Sequence, residues 1–136
     1  MKHFTISEML KSDTAIKQRL WNGAPKEAEE NLRALVDEVL DPLREAYGRP
    51  VRVTSGYRCP RLNTLVGGAP NSQHMRGEAA DITAGSPEEN LKLGRWLEAS
   101  GKFDQLIYEQ CDRNGNPRWI HVSWRRGWNR KQVLVL

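Results

Sequence analysis

The chain contains only three histidines and two cysteines among its 136 residues. With so few, their number alone does not reveal a functional site. Cys59 and Cys111 lie far apart and form no C-x-x-C pair, so they match no cysteine-pair zinc motif. A disulfide between them stays open, but reduced thiols are typical of a cytoplasmic protein and are the expected state.

Long apolar runs are absent as well. No stretch of about 18 apolar residues occurs, and the N-terminal segment MKHFTISEMLKSDTAIKQ lacks the apolar core of a signal peptide. We therefore expect a chain that does not bind membranes and that stays cytoplasmic until another agent releases it.

Blocks of lysine or arginine and RNA-binding signatures are also missing. The net charge of +4 favours anionic partners such as acidic lipid, nucleic acid or bacterial wall polymer, but without these blocks it does not indicate nucleic acid. A basic nucleic-acid-binding domain is the weakest of the functions considered.

Hydrophobic residues at 38% and charged residues at 28% are ordinary for a globular protein, which we expect to be a monomer.

The apolar pattern predicts two substantial helices. Apolar residues recur every three or four positions over 32–43, which predicts a long helix that begins near Pro25 and is kinked at Pro42. The segment SPEEN has an N-cap serine, a first-turn proline and a capping-box glutamate. It predicts a second helix that ends at Gly101.

Period-two alternation predicts strands in RPVRVTSGYR, FDQLIYEQ, RWIHVSW and KQVLVL, with the turn DRNGN between the second and third. No internal repeat, linker or low-complexity segment divides the chain. We predict one α+β domain over residues 1–136, in which helices pack on a small antiparallel sheet.

One short stretch, NSQHMRGEAADI, places His74 seven residues before Asp81. On a helix these positions would stand about 10 Å apart along the axis, too far for one zinc ion with ligands at about 2 Å. Gly77 can take a positive φ and let the chain double back. AADI would then extend as a strand, with Ala79 and Asp81 on one face. The stretch predicts a loop-to-strand metal site.

The strand RWIHVSW supplies a further ligand candidate, His121. Ile120 and Val122 would face the core, so His121 would face the opposite side of the sheet. His3 lies near the terminus and is a poor candidate. A single histidine is most often a hydrogen-bonded structural residue, but two histidines and a carboxylate together match the three protein ligands of a catalytic zinc.

The run SGYRCPRLNTLVGGAPNSQHMRGEAADI, followed by FDQLIYEQ and WIHVSW, closely resembles the M15 family of zinc D-Ala-D-Ala carboxypeptidases and phage endolysin peptidases, especially its smaller members. The family pattern S-x-H-x-x-G-x-A-x-D and its W-x-H element are matched by Ser72, His74, Gly77, Ala79, Asp81, Trp119 and His121. The resemblance extends from Phe4 to about Trp124.

This resemblance implies the D-Ala-D-Ala-peptidase fold shared with hedgehog-type metal domains, with Zn²⁺ held by His74, Asp81 and His121. It also implies that Arg58 holds a carboxylate or carbonyl of the substrate, for which the guanidinium fork is suited. A zinc ion at such a site activates water and polarises the scissile carbonyl.

The sequence departs from several relatives at the general base. Those relatives carry a glutamate three residues before the last histidine, where this chain has Arg118, which cannot accept a proton. Glu109 is the nearest substitute, provided that the strands on either side of DRNGN pair. Asp104, at the start of the same strand, is the weaker candidate.

The function implied is a zinc metallopeptidase that cleaves amide bonds in peptidoglycan stem peptides, as a D-Ala-D-Ala carboxypeptidase or an endolysin-type endopeptidase. The expected absence of a signal peptide favours a phage or prophage endolysin. The alternative is a metal-containing domain that binds wall peptide without cleaving it. D-Ala-D-Ala and L-Ala-D-Glu activities occur on similar frameworks, so the bond cleaved stays open.

Overall fold

The computed structural model of the protein describes all residues, 1–136. It contains six α-helices, a π-helical segment, a 3₁₀ turn and five strands. In chain order these are α1 (Ile6–Leu10), α2 (Asp13–Lys17), α3 (Lys26–Leu35), the π segment (Val36–Leu40), α4 (Asp41–Tyr47), β1 (Arg52–Ser55), α5 (Pro60–Leu65), the 3₁₀ turn (Gln73–Arg76), β2 (Ala79–Thr83), α6 (Pro87–Ser100), β3 (Gln105–Glu109), β4 (Trp119–Ser123) and β5 (Gln132–Val135). No helix has the length and apolar character needed to cross a bilayer.

The five strands form one sheet in the order β1-β2-β4-β3-β5. The first four pair antiparallel, and the turn DRNGN joins β3 to β4 as predicted. The α+β fold is confirmed, but the sheet is mixed because β5 runs parallel to β3 at its outer edge. Alternation in KQVLVL indicates a strand without indicating its direction, so the sequence could not distinguish the two cases.

The predicted long helix is interrupted one turn before the expected kink. Helices α3 and α4 are continuous through the π segment, in which the Asp41 N–H donates to the Val36 carbonyl. Pro42 has no N–H, and its ring would crowd the carbonyl four residues back. The wider π turn relieves that conflict, and the apolar stripe over 32–43 stays buried on both sides of it.

Helix α6 begins and ends as predicted. Ser86 caps it by accepting a hydrogen bond from the Glu89 N–H, and Gly101 ends it with φ 64°. The Glu89 side chain does not complete the expected capping box. It instead accepts a hydrogen bond from Tyr47 and pairs with Arg49 and Lys92.

Both cysteines are free thiols, as expected. The Cys59 sulfur caps α5 by accepting from the Leu62 N–H, and the Cys111 thiol donates to the Tyr108 carbonyl. Their roles are local, and neither belongs to a group of residues that could hold a metal.

A single cluster of buried apolar side chains fills the space between the helices and one face of the sheet. On β4, Ile120 and Val122 are fully buried in this core. The intervening His121 therefore projects from the opposite face, where Asp81 lies beside it on β2. The alternation that buries the core thus places the polar side chains together on the other side of the sheet.

Candidate metal centre

The residues at its two ends determine the conformation of the turn that carries His74. Ser72 accepts a hydrogen bond from the His74 N–H and caps the 3₁₀ turn. Gly77 ends the turn with φ 74°, and a Cβ at this position would overlap the carbonyl of Ala28 on α3. Only glycine combines this conformation with so close an approach, so the chain can double back here into β2.

The two strands then bring the other candidate ligands together. Asp81 and His121 are directly paired across β2 and β4. His121 Nδ1 lies 3.0 Å from Asp81 Oδ1, and His74 Nε2 lies 3.4 Å from the same oxygen. One ligand atom from each of the three residues lies within 4.8 Å of the others, so the group could hold a metal ion.

These distances suit a tetrahedral ion. Ligand atoms bound at about 2 Å in tetrahedral geometry stand about 3.3 Å from one another, close to both separations in the structure. His74 Nδ1 lies 2.6 Å from the Gly56 carbonyl, which can only accept, so Nδ1 carries a proton. In the neutral imidazole Nε2 then presents its lone pair toward Asp81, and a cation between the two would satisfy both.

Asp81 is in the right charge state for this role. Burial raises the pKa of its carboxyl group, but the interactions with the His121 and His74 imidazoles outweigh that effect and hold the pKa well below its ordinary value. The carboxylate is therefore ionised at neutral pH. Two imidazoles with one carboxylate would leave a divalent ion with net positive charge.

Arg58 lies beside this group in a fixed orientation. Its Nε donates to Ser55 Oγ at 3.1 Å and its Nη1 to Asn63 Oδ1 at 3.2 Å, while Nη2 is 3.5 Å from Asp81 Oδ2. Sequence reasoning missed Ser55 and Asn63 as partners. The sequence carried no signal for Asn63, which is 3% exposed in the structure.

Glu109 faces the same side of the sheet as the candidate ligands. It pairs with Trp119, so His121 is its diagonal neighbour on β4, a relation that places two residues about 7–8 Å apart. Burial, and then the negative charge of Asp81, raise the pKa of Glu109. Glu109 lies outside the close group of three and suits a proton acceptor better than a ligand. Arg118 instead contacts Gln110 at 3.4 Å.

Asp104, the weaker candidate for the base, is already engaged. It is 1% exposed and accepts hydrogen bonds from the Arg130 backbone, the Arg130 guanidinium and Gln73 Nε2. Burial raises its pKa, but the bonds to Arg130 outweigh burial and lower it. Because Gln73 precedes His74, Asp104 ties the 3₁₀ turn to the segment before β5. The sequence carried no signal for this link.

One open cleft of about 540 Å³ is lined by the side chains of all the candidate site residues: Arg58, His74, Asp81, Asp104, Glu109 and His121. Its lining is mostly polar, with a carboxylate and two imidazoles at one place and arginines around them. Such a site can bind a cation and, beside it, an anionic or hydrogen-bonding substrate.

Comparison with known proteins agrees with this chemistry. The family model described as Peptidase M15 matches residues 2–123. The zinc D-Ala-D-Ala carboxypeptidase of Streptomyces albus G is 50% identical over 48 residues, which make up 35% of this chain and 19% of that protein. The match thus spans about a fifth of the relative's length.

Proposed function

The chain belongs to the peptidase M15 family, and we propose from this membership that it is a zinc-dependent peptidase that hydrolyses amide bonds in peptidoglycan stem peptides. The observation that carries the proposal is the group formed by His74, Asp81 and His121, whose ligand atoms lie within 4.8 Å of one another. The name of the Streptomyces relative supports both the metal and the wall-peptide substrate.

In this proposal His74, Asp81 and His121 hold the zinc ion, and residues 1–136 act as one peptidase domain. When bound, the ion supplies a Lewis acid that activates water and polarises the scissile carbonyl. The Gly56 carbonyl keeps the His74 ring oriented through Nδ1. The 3₁₀ turn and the β2–β4 pair hold the three side chains in place before substrate arrives.

Glu109 is the proposed general base. It accepts a proton from the attacking water as the oxygen adds to the carbonyl carbon, and it delivers that proton to the amine as the C–N bond breaks. Its raised pKa favours this double role, because the protonated form must be accessible during the cycle. Arg58, oriented by Ser55 and Asn63, binds a carboxylate or carbonyl of the substrate.

The position of the cleaved bond divides the proposal into two forms. A D-Ala-D-Ala carboxypeptidase would release the terminal residue, and an endolysin-type endopeptidase would cut within or between stem peptides. We favour the endolysin form, in which a phage or prophage product reaches the wall after release from the cytoplasm. The basic net charge of +4 would favour approach to an anionic wall.

Arg118 supports a second candidate function. It occupies the position at which several relatives carry the base, and its side chain cannot accept a proton. If Glu109 does not replace that base, the domain would hold a metal and bind stem peptide without cleaving it.

The deciding experiment is digestion of purified peptidoglycan and synthetic stem peptides by the zinc-loaded protein, with the products identified by mass spectrometry. We expect defined cleavage by the parent and a loss of about 10²–10⁴ in kcat for Glu109→Gln, the usual share of acid–base catalysis. Glu30→Gln, the same change on an exposed helical residue, should match the parent.

Binding of stem peptide with no product from the parent would instead support the second candidate. Full activity in the Glu109→Gln protein would exclude Glu109 as the base.

A further inference from the structure

The cleft is lined by four arginines, and one of them differs from the rest. Three are paired with a carboxylate of the chain: Arg58 with Asp81, Arg76 with Glu78, and Arg130 with Asp104. Arg125 makes no ion pair and is exposed. Its positive charge is therefore the one in the cleft that the protein itself leaves uncompensated.

The backbone around Arg125 is ordered by a closed set of hydrogen bonds. The Arg125 N–H donates to Asn129 Oδ1 at 3.0 Å, and Asn129 Nδ2 donates back to the Arg125 carbonyl at 3.0 Å. Arg125 Nε donates to the Trp128 carbonyl at 3.1 Å. The side chain is thus held at Nε while both terminal nitrogens keep their donors free, which lowers the entropy lost on binding an anion.

The location of Arg125 limits the distance between the substrate group that it binds and the scissile bond. It follows His121 by four residues, so the two Cα atoms are at most about 14 Å apart. An extended peptide advances about 3.3 Å per residue. Arg125 can therefore meet a group on the same substrate within about four residues of the scissile bond. Arg58, beside Asp81, serves the reacting end of the cleft.

We propose that Arg125, with the loop Arg125–Asn129 that orders it, forms a second anion subsite of the cleft. It binds a carboxylate of the stem peptide within about four residues of the scissile bond. This inference rests on the proposed function, because that function makes the substrate a peptide. The free carboxylate of the glutamate in the L-Ala-D-Glu unit is the ligand we assign. Residue 125 lies beyond the family-matched range, 2–123, so the subsite is a feature of this chain's C-terminal segment.

The test compares two synthetic stem pentapeptides that differ only in this group, one with the free glutamate carboxylate and one with the corresponding amide. Their hydrolysis is measured for the zinc-loaded parent, for Arg125→Gln and for Arg126→Gln. Arg126 is the matched control, since it is also exposed, follows directly in the chain and donates to the Glu30 carbonyl outside the cleft. Arg125→Gln should lower kcat/KM about tenfold for the carboxylate peptide and by a clearly smaller factor for the amide peptide, as expected for one lost charge-assisted contact.

Equal kcat/KM values for the two peptides in the parent, or equal effects of Arg125→Gln on both, would overturn the subsite. If the parent cleaves neither peptide, digestion of purified peptidoglycan decides the proposed function, and calorimetric binding of the same peptides decides the subsite separately. Binding of the carboxylate peptide that weakens about tenfold in Arg125→Gln alone would support it. Absent binding, or binding that is insensitive to Arg125, would refute it.

Discussion

The three proposed ligands differ in how firmly their surroundings hold them. His74 is 3% exposed, and its Nδ1 is held by the Gly56 carbonyl. The ring orientation is therefore fixed, and with it the direction in which Nε2 points. Asp81 lies beside His74 and Arg58, whereas His121 is held to Asp81 by a 3.0 Å contact. A bound ion would replace that contact with two metal bonds, so the geometry at each residue is already close to that of a ligand.

We expect His74→Ala, Asp81→Asn and His121→Ala each to lower zinc content well below one per chain. Each change removes a ligand or its charge from a three-residue site, and two ligands hold zinc poorly. Elemental analysis after dialysis measures this directly. His3→Ala is the control, since His3 lies by Glu45 on α4 and should leave zinc at one per chain. Stoichiometric zinc in the His121→Ala protein would exclude His121 as a ligand.

At the scale of elements, the site depends on connections between segments that are distant in sequence. The β2–β4 pair brings Asp81 to His121, and the Asp104 carboxylate joins β3, the 3₁₀ turn and the segment before β5. Asp104 is buried and bonded on both oxygens, so it is a positioning residue for the turn that carries His74.

Asp104→Asn should lower the free energy of unfolding at neutral pH by about 1–3 kcal/mol, through loss of charged hydrogen bonds. The folded-state pKa of Asp104 is lowered, so its stabilisation is present above the unfolded value of about 4 and is lost as pH falls through the folded value. Urea unfolding should show a parent–variant difference at pH 7 and 5 that shrinks toward pH 3.

The control for this change is Glu30→Gln, which removes the same charge from an exposed position and should leave stability unchanged. A difference between parent and Asp104→Asn that grows on acidification would contradict the role given to the Arg130 pair.

At the scale of the whole molecule, the proposed metal couples to stability. The three proposed ligands come from the 3₁₀ turn, β2 and β4, so they are close together only in the folded chain. Metal bound only by the native state adds its binding free energy to folding.

Chelation should therefore lower the melting temperature, and zinc at a hundred times its dissociation constant should restore about 2.7 kcal/mol. Thermal unfolding with EDTA and with added zinc measures the effect. The His121→Ala protein should show little zinc-dependent shift. An equal shift in that variant would place the stabilising metal elsewhere.

Local signals in the sequence determined much of this protein. The cap at Ser86, the stop at Gly101, the stripe over 32–43 and the positive φ at Gly77 each depend on a few neighbouring residues. Such preferences act through backbone sterics and periodic burial, so they can be read without the fold. The face on which His121 projects follows from the same alternation.

Only the tertiary structure decided which distant residues meet. Asp81 and His121 are 40 residues apart, and Asp104 and Arg130 are 26 apart. The direction of β5, the engagement of Asp104 and the single unpaired arginine of the cleft all depend on how the segments pack. Periodicity and capping residues indicate whether a residue is buried or ends a helix, but they do not indicate which distant residue it contacts. Partners are selected by strand register and by burial of charge, which arise only when the whole chain has folded.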